Sequence, residues 1–143
     1  MIDEHSPAVS SLNPQVAPGQ HTVLSLASGR IMVRAEVLHA GDDLCVLLSG
    51  GDKPHIGCVT LSIARPSLAD ANRGSATTSI LNVTGHKDGE VAQYMSQQLS
   101  ASLQKTVVIC GGIHVDAIQV EEIQIVMGLV QRLTVALIDL FAE

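Results

Sequence analysis

Aromatic side chains are nearly missing from this sequence, which holds one Tyr, one Phe and no Trp. The core must therefore be assembled from Val, Ile, Leu and Ala, and a planar ligand would be gripped by aliphatic, polar and backbone groups. Charge is scarce too, at 15% of residues, and eight basic side chains against fourteen acidic ones leave a net charge of −6. That balance argues against a nucleic-acid partner, whose affinity comes from neutralising phosphates. No stretch reaches the roughly 18 uninterrupted apolar residues of a membrane span. Asp3 and Glu4 stand where a secretory signal would carry Lys or Arg. The three cysteines, Cys45, Cys58 and Cys110, fit no disulfide framework and read as buried reduced thiols in apolar runs. A cytoplasmic protein without membrane or nucleic-acid partners is expected.

What is present is apolar: 46% of the 143 residues are hydrophobic, enough for one domain with a sizeable core. Residues 1–19, with Pro7, Pro14 and Pro18 among Ser, Asn and Gln, read as a flexible N-terminal tail. A single domain is expected over 20–143. Short β-rich runs open it, at Thr22–Ser28, Ile31–His39 and, after the turn Gly41-Asp42-Asp43, Leu44–Ser49. The last of these is wholly apolar and reads as a central strand. A glycine-rich loop, Gly50 to Gly57, precedes a strand at about Cys58–Ala64, and a fifth strand spans Ser75–Val83. The period then changes to helical: Asp88 is a candidate cap, and Val91, Met95, Leu99 and Leu103 form one stripe.

Thr106–Ile113 reads as a sixth strand, parallel to the fifth and reached by a right-handed crossover if both share a sheet. The last helix, about Val120 to Ala142, is apolar around much of its circumference. Such a helix is either sandwiched or shared with a second subunit, and a homodimer through this C-terminal helix is expected. The layout is α+β: a mainly antiparallel sheet of about six strands with two helices.

Counting strand directions brings three loops together. If Leu44–Ser49 runs up, the loop with His55 is at the top; the fifth strand rises to Gly85-His86-Lys87 and the sixth to His114 and Asp116. Gly29-Arg30 falls on the same edge, and His39 on the opposite one. Gly50-Gly51 and Gly111-Gly112 are expected to let backbone amides approach a ligand without an obstructing Cβ. Lys53 and Lys87 favour a phosphate-bearing ligand, although Asp52, Asp88 and Asp116 balance them locally. Neither standard nucleotide loop is present. His55, His86 and His114 together make a candidate metal site for Zn or Mn, with Asp116 as a further ligand. The plainer reading is that the histidines stabilise turns, the lysines are solvated, and Asp88 and Asp116 cap helices.

These loops also carry a resemblance. Gly41-Asp42-Asp43-Leu44, Gly50-Gly51-Asp52-Lys53-Pro54-His55-Ile56-Gly57, Gly85-His86-Lys87 and Gly112-Ile113-His114-Val115-Asp116 stand in order and at compatible spacing. Over about residues 22 to 140 the chain resembles the LpdD-type prenylated-flavin chaperones, the small D subunits that accompany UbiD-type aromatic-acid decarboxylases such as gallate decarboxylase. The resemblance implies a chaperone that binds prenylated FMN and assists its delivery to the decarboxylase catalytic subunit. It also implies a fold similar to proteasome assembly chaperones. By motif position it marks His55, His86 and His114, which with Gly50, Gly51, Lys53, Lys87 and Asp116 of the same loops make the candidate cofactor-binding set, and a divalent metal ion is a further candidate partner of the histidines. One departure is Gln119-Val120, where a Thr/Ser-Pro start to the last helix is expected.

Two other functions compete with the non-catalytic chaperone. A small metal-dependent enzyme would use the same histidines to activate water, but no Ser or Cys nucleophile and no well-placed Glu base stands in the loops. A purely structural assembly factor would use the apolar last helix and leave the loops idle.

Overall fold

The turns at Gly29-Arg30 and Gly41-Asp42 cut the first half of the chain into alternating runs, and each run becomes a strand. The computed structural model describes residues 21–83 and 89–142. In chain order they form β1 (His21–Ser28), β2 (Ile31–Ala40), β3 (Asp43–Gly51), β4 (Cys58–Pro66), β5 (Gly74–Asn82), α1 (Gly89–Leu103), β6 (Val107–His114) and α2 (Val120–Phe141). One six-stranded sheet has the order β1-β2-β3-β6-β4-β5, and only the β3–β6 pairing is parallel. The expected α+β class and mainly antiparallel sheet are what the chain adopts. The tail at 1–19, the candidate cap Asp88 and the loop residues His86 and Lys87 lie outside the described residues.

Strand β6 departs from the simplest expectation. It runs in the same direction as β5, as expected, but inserts between β3 and β4 instead of beside β5. The link from β3 to β4 is therefore not a hairpin. Residues 52–57 must cross the end of β6, a step of two strand spacings or roughly 10 Å. This crossing positions the candidate site.

One face of the sheet carries the core. Ile31, Val33, Ala35 and Val37 on β2, Leu44, Val46 and Leu48 on β3, and Val107 and Ile109 on β6 are buried there against Met95 and Leu99 of α1 and Leu129, Leu133 and Leu137 of α2. Both helices cover this face, α1 over β4, β5 and β6 and α2 over β1 and β2. The buried Ser62 is paired within the core: its Oγ lies 2.6 Å from Thr78 Oγ1 and donates to Ser96 Oγ at 2.9 Å. Helix α2 is long and apolar enough to cross a membrane by length and composition. It buries Val126, Leu129, Val130, Leu133, Thr134 and Leu137 in the core and leaves Val120, Ile123, Val135 and Leu140 exposed.

The other face of the sheet is bare, and it corrects two expectations. Strand β3, apolar from Leu44 to Leu48, is buried at Leu44, Val46 and Leu48 but exposed at Cys45 and Leu47. Among the described residues no disulfide forms; Cys58 is buried, while Cys45 is exposed and Cys110 half-buried, because both point to the uncovered face. Burial raises the Cys110 thiol above its ordinary value, and Cys45 nearby adds to the shift.

Candidate functional site

The β3–β4 crossing gathers the candidate residues at one edge. Gly51 of β3 pairs with His114 of β6, and Cys58 of β4 pairs with Gly111 of β6 and Asn82 of β5. The ends of β3, β5 and β6, the start of β4 and the β1–β2 turn thus share that edge. His55 and His114 meet there, with ring centroids 6.4 Å apart and planes inclined by 77°. Val83 and Gly89, which flank residues 84–88, are at this edge too: the Val83 amide donates to Gly57 O at 2.8 Å, and Gly89 stands beside the Asn82 side chain.

The glycines have a different task from the one expected. The room a Cβ would take at Gly51 is filled by the His114 carbonyl, and that at Gly111 by the Leu48 carbonyl. Both also have positive φ, +73° and +143°, where a side chain is strained. A Cβ on Gly112 would meet the His55 ring, with Nε2 at 2.6 Å. The missing side chains let the crossing loop lie flat on the end of β6. Its amides tie it down: Asp52 N donates to His114 O at 2.6 Å and Gly57 N to Gly111 O at 2.8 Å. The close approach is of protein to protein.

Each imidazole is anchored by a hydrogen bond to a described residue. His55 Nδ1 donates to the Lys53 carbonyl at 2.9 Å, and His114 Nε2 to Asp116 Oδ1 at 3.0 Å. In the neutral rings those bonds place the lone pairs on His55 Nε2 and His114 Nδ1. Asp116 is the hub. Its carboxylate also accepts from Lys53 Nζ at 3.5 Å, its amide donates to Asp52 Oδ2 at 2.8 Å, and its carbonyl accepts from Arg30 Nη2 at 2.7 Å. The His114 hydrogen bond, with smaller help from Lys53, holds the Asp116 carboxyl below its ordinary value. Asp116 therefore does not cap α2. Gln119 is the N-cap residue, and its amide donates to Glu122 Oε1 at 3.1 Å, so the departure at Gln119-Val120 still gives a capped start.

Sequence reasoning left Arg30 and Glu122 out of the site. Arg30 Nε and Nη2 donate to the two Glu122 oxygens at 2.8 and 3.0 Å, clamping the β1–β2 turn to the first turn of α2. This pairing raises the guanidinium and lowers the Glu122 carboxyl from their ordinary values. Arg30 also comes within 3.7 Å of Asp52. The available signal was a basic residue at a tight turn on the same edge, in a chain with only eight.

The rim suits an anionic ligand with an apolar body. Lys53 is 72% exposed, and its ammonium approaches Asp116 at 3.5 Å. Ile56 and Val83 stand exposed beside the His55 loop. For a metal the fit is poorer. Among the described residues no three His, Cys, Asp or Glu side chains gather as a metal-holding group. The rim supplies two imidazoles, and His86, the third of the expected triad, lies outside the described residues.

An α+β domain with a polar rim of two anchored histidines, one exposed lysine and adjacent apolar side chains is a binding module in form. The family described as the prenylated flavin chaperone LpdD-like domain matches residues 27–142, and the chain belongs to that family. No curated protein matches it. Among solved structures, a chain of "a Novel Chaperone Complex for Yeast 20S Proteasome Assembly" is similar, with a TM-score of 0.45 and 13% identity, covering 80% of this chain and 94% of that one.

Proposed function

We propose that this protein binds prenylated FMN at the rim formed by His55, His114, Lys53 and Asp116 and passes it to a UbiD-type decarboxylase, without catalysing a reaction itself. The observation that carries the reading is the convergence of the His55 and His114 rings beside an exposed lysine, on a chain of the prenylated flavin chaperone family. In this reading Lys53 exchanges its weak contact with Asp116 for the ligand phosphate, while Ile56 and Val83 shield the apolar part. Gly50 and Gly51 shape the loop, and His86 and Lys87 are further candidate ligands from the sequence. His55 Nδ1 and His114 Nε2 donate to a carbonyl and a carboxylate, bonds that fix the two rings for binding.

The test is anaerobic mixing with reduced prenylated FMN followed by desalting. The wild type should retain the flavin, and His114→Ala or Lys53→Ala should lose it about tenfold or more readily with the fold unchanged. Full retention in both variants would sink the site. Turnover of an aromatic acid by the isolated protein would sink the non-catalytic half. Elemental analysis of the purified protein separately tests for Zn or Mn.

A further inference from the structure

Strand β5 ends the sheet on one side, pairing with β4 and with no other described strand. The direction of its hydrogen bonds is fixed at both ends. Arg73 O accepts from Ser67 N at 2.8 Å, and Val83 N donates to Gly57 O at 2.8 Å. Every second residue of an antiparallel pair bonds inward, so Ser75, Thr77, Ser79 and Leu81 turn their backbone groups to β4. The N–H and C=O groups of Gly74, Ala76, Thr78 and Ile80 point away from the sheet, and among the described residues no backbone group meets them. Edge strands are ordinarily kept from pairing by lysine, proline, a bulge or shortness. β5 runs for nine residues in unbroken register, without a charged residue or a proline.

A cleft lies against the start of this edge. Helix α1 packs chiefly over β5 and β4 and brings Ala101 O beside Gly74. The cleft between them, of about 590 Å³, is lined by Arg73, Gln97, Gln98 and Ser102 with the neighbouring backbone. Its walls offer amides, a hydroxyl and one guanidinium. Arg30 and Arg34 are paired with Glu122 and Glu36, whereas among the described residues no carboxylate pairs with Arg73.

We infer that this edge takes an extended segment of a partner protein as a further strand, antiparallel to β5, with its C-terminal carboxylate at Arg73. A row of outward N–H and C=O groups is matched along its length by another main chain. An antiparallel segment runs towards Gly74, so its C-terminus arrives at the cleft, where a guanidinium can hold a carboxylate through two hydrogen bonds. Its side chains would alternate, polar ones over the cleft amides on the α1 side and apolar ones beside Leu81, which is 76% exposed on the other. A second copy fits the edge less well. Two β5 strands paired antiparallel about Thr78 would set Val83, and no carboxylate, opposite Arg73. The cleft is at the end of β5 away from Asn82 and the His55–His114 rim, so a segment bound there leaves the rim open. The inference therefore stands apart from the flavin reading.

The probe is an acetylated hexapeptide of alternating Thr and Val with a free C-terminal carboxylate, titrated into the isotope-labelled full chain and followed by NMR. The amides of Gly74, Ala76, Thr78 and Ile80 should shift and exchange with solvent many-fold more slowly, while those of β1, the other edge strand, stay in place. Arg73→Gln, or the same peptide ended as an amide, should each weaken binding about tenfold. The variant should bind acid and amide alike. The peptide with every amide N-methylated cannot complete the ladder and should not bind. No saturable shift on β5, equal binding of acid and amide by the wild type, or retained binding of the N-methylated peptide would each overturn the inference. Slow exchange at these four amides before peptide is added would overturn it too, by showing a second copy already on the edge.

Discussion

Arg30 and Glu122, 92 residues apart in the chain, meet through two charge-assisted hydrogen bonds of 2.8 and 3.0 Å. The same guanidinium holds the Asp116 carbonyl, and Asp116 holds His114. Arg30 is therefore a positioning residue for an imidazole it does not touch. Arg30→Ala should change the melting temperature little, because the pair is solvent-exposed. It should speed hydrogen exchange at the Asp116 amide and weaken flavin retention about tenfold, the usual cost of losing a group that orients a binding histidine. Arg30→Lys should not restore retention, since an ammonium cannot make the forked contact. A fall in melting temperature with unaltered retention would show the clamp to be structural only.

Acid should loosen the same rim. Asp116 is held below its ordinary carboxylate value chiefly by the His114 hydrogen bond, and Glu122 chiefly by Arg30. A carboxyl whose folded pKa is depressed stabilises the fold fully above its unfolded value, and that contribution is lost as pH falls through the folded value. Urea midpoints should therefore hold level from pH 7 to about 5 and decline below about 4. Asp116→Asn should make the decline shallower. An identical acid limb in the variant would remove Asp116 from the account.

Much of this site follows from strand parity. Each glycine-marked turn reverses the chain once, and counting reversals places His55, His114 and Arg30 on one edge. What parity does not carry is neighbour order. That β6 slides between β3 and β4 depends on long-range pairing, which no local pattern in Thr106–Ile113 distinguishes from addition beside β5. The role of the glycines was hidden for the same reason, because only the inserted β6 brings the Leu48 and His114 carbonyls against Gly111 and Gly51. The cysteines were misjudged because an apolar run does not reveal which of its two faces is covered.

Gly111 and Gly29 both have positive φ, yet alanine should affect them very differently. At Gly29 a Cβ meets nothing within 4 Å, so only the left-handed backbone is penalised, by about 1 kcal/mol. At Gly111 the Cβ would enter the Leu48 carbonyl, inside the β3–β6 pairing. Gly111→Ala should cost on the order of 3 kcal/mol, about 10 °C in melting temperature for a chain of this size. Equal losses in calorimetry of the two variants would refute the packing role.

Gly112→Ala separates packing from function at the neighbouring position. Its Cβ would come within 2.6 Å of His55 Nε2 and 2.8 Å of Cε1, both atoms of a side chain on a loop and not of a paired strand. An imidazole can swing aside where a carbonyl in a sheet cannot. The fold should therefore survive, with a melting temperature within a few degrees of wild type. The ring should leave its place, losing the 2.9 Å bond to the Lys53 carbonyl that orients it. Flavin retention should drop to the level of His55→Ala, on the order of tenfold below wild type, and the double variant should show no further loss, as expected for two changes acting through one contact. Additive losses in the double variant would mean that Gly112 serves the ligand directly, through its own backbone, and not through His55.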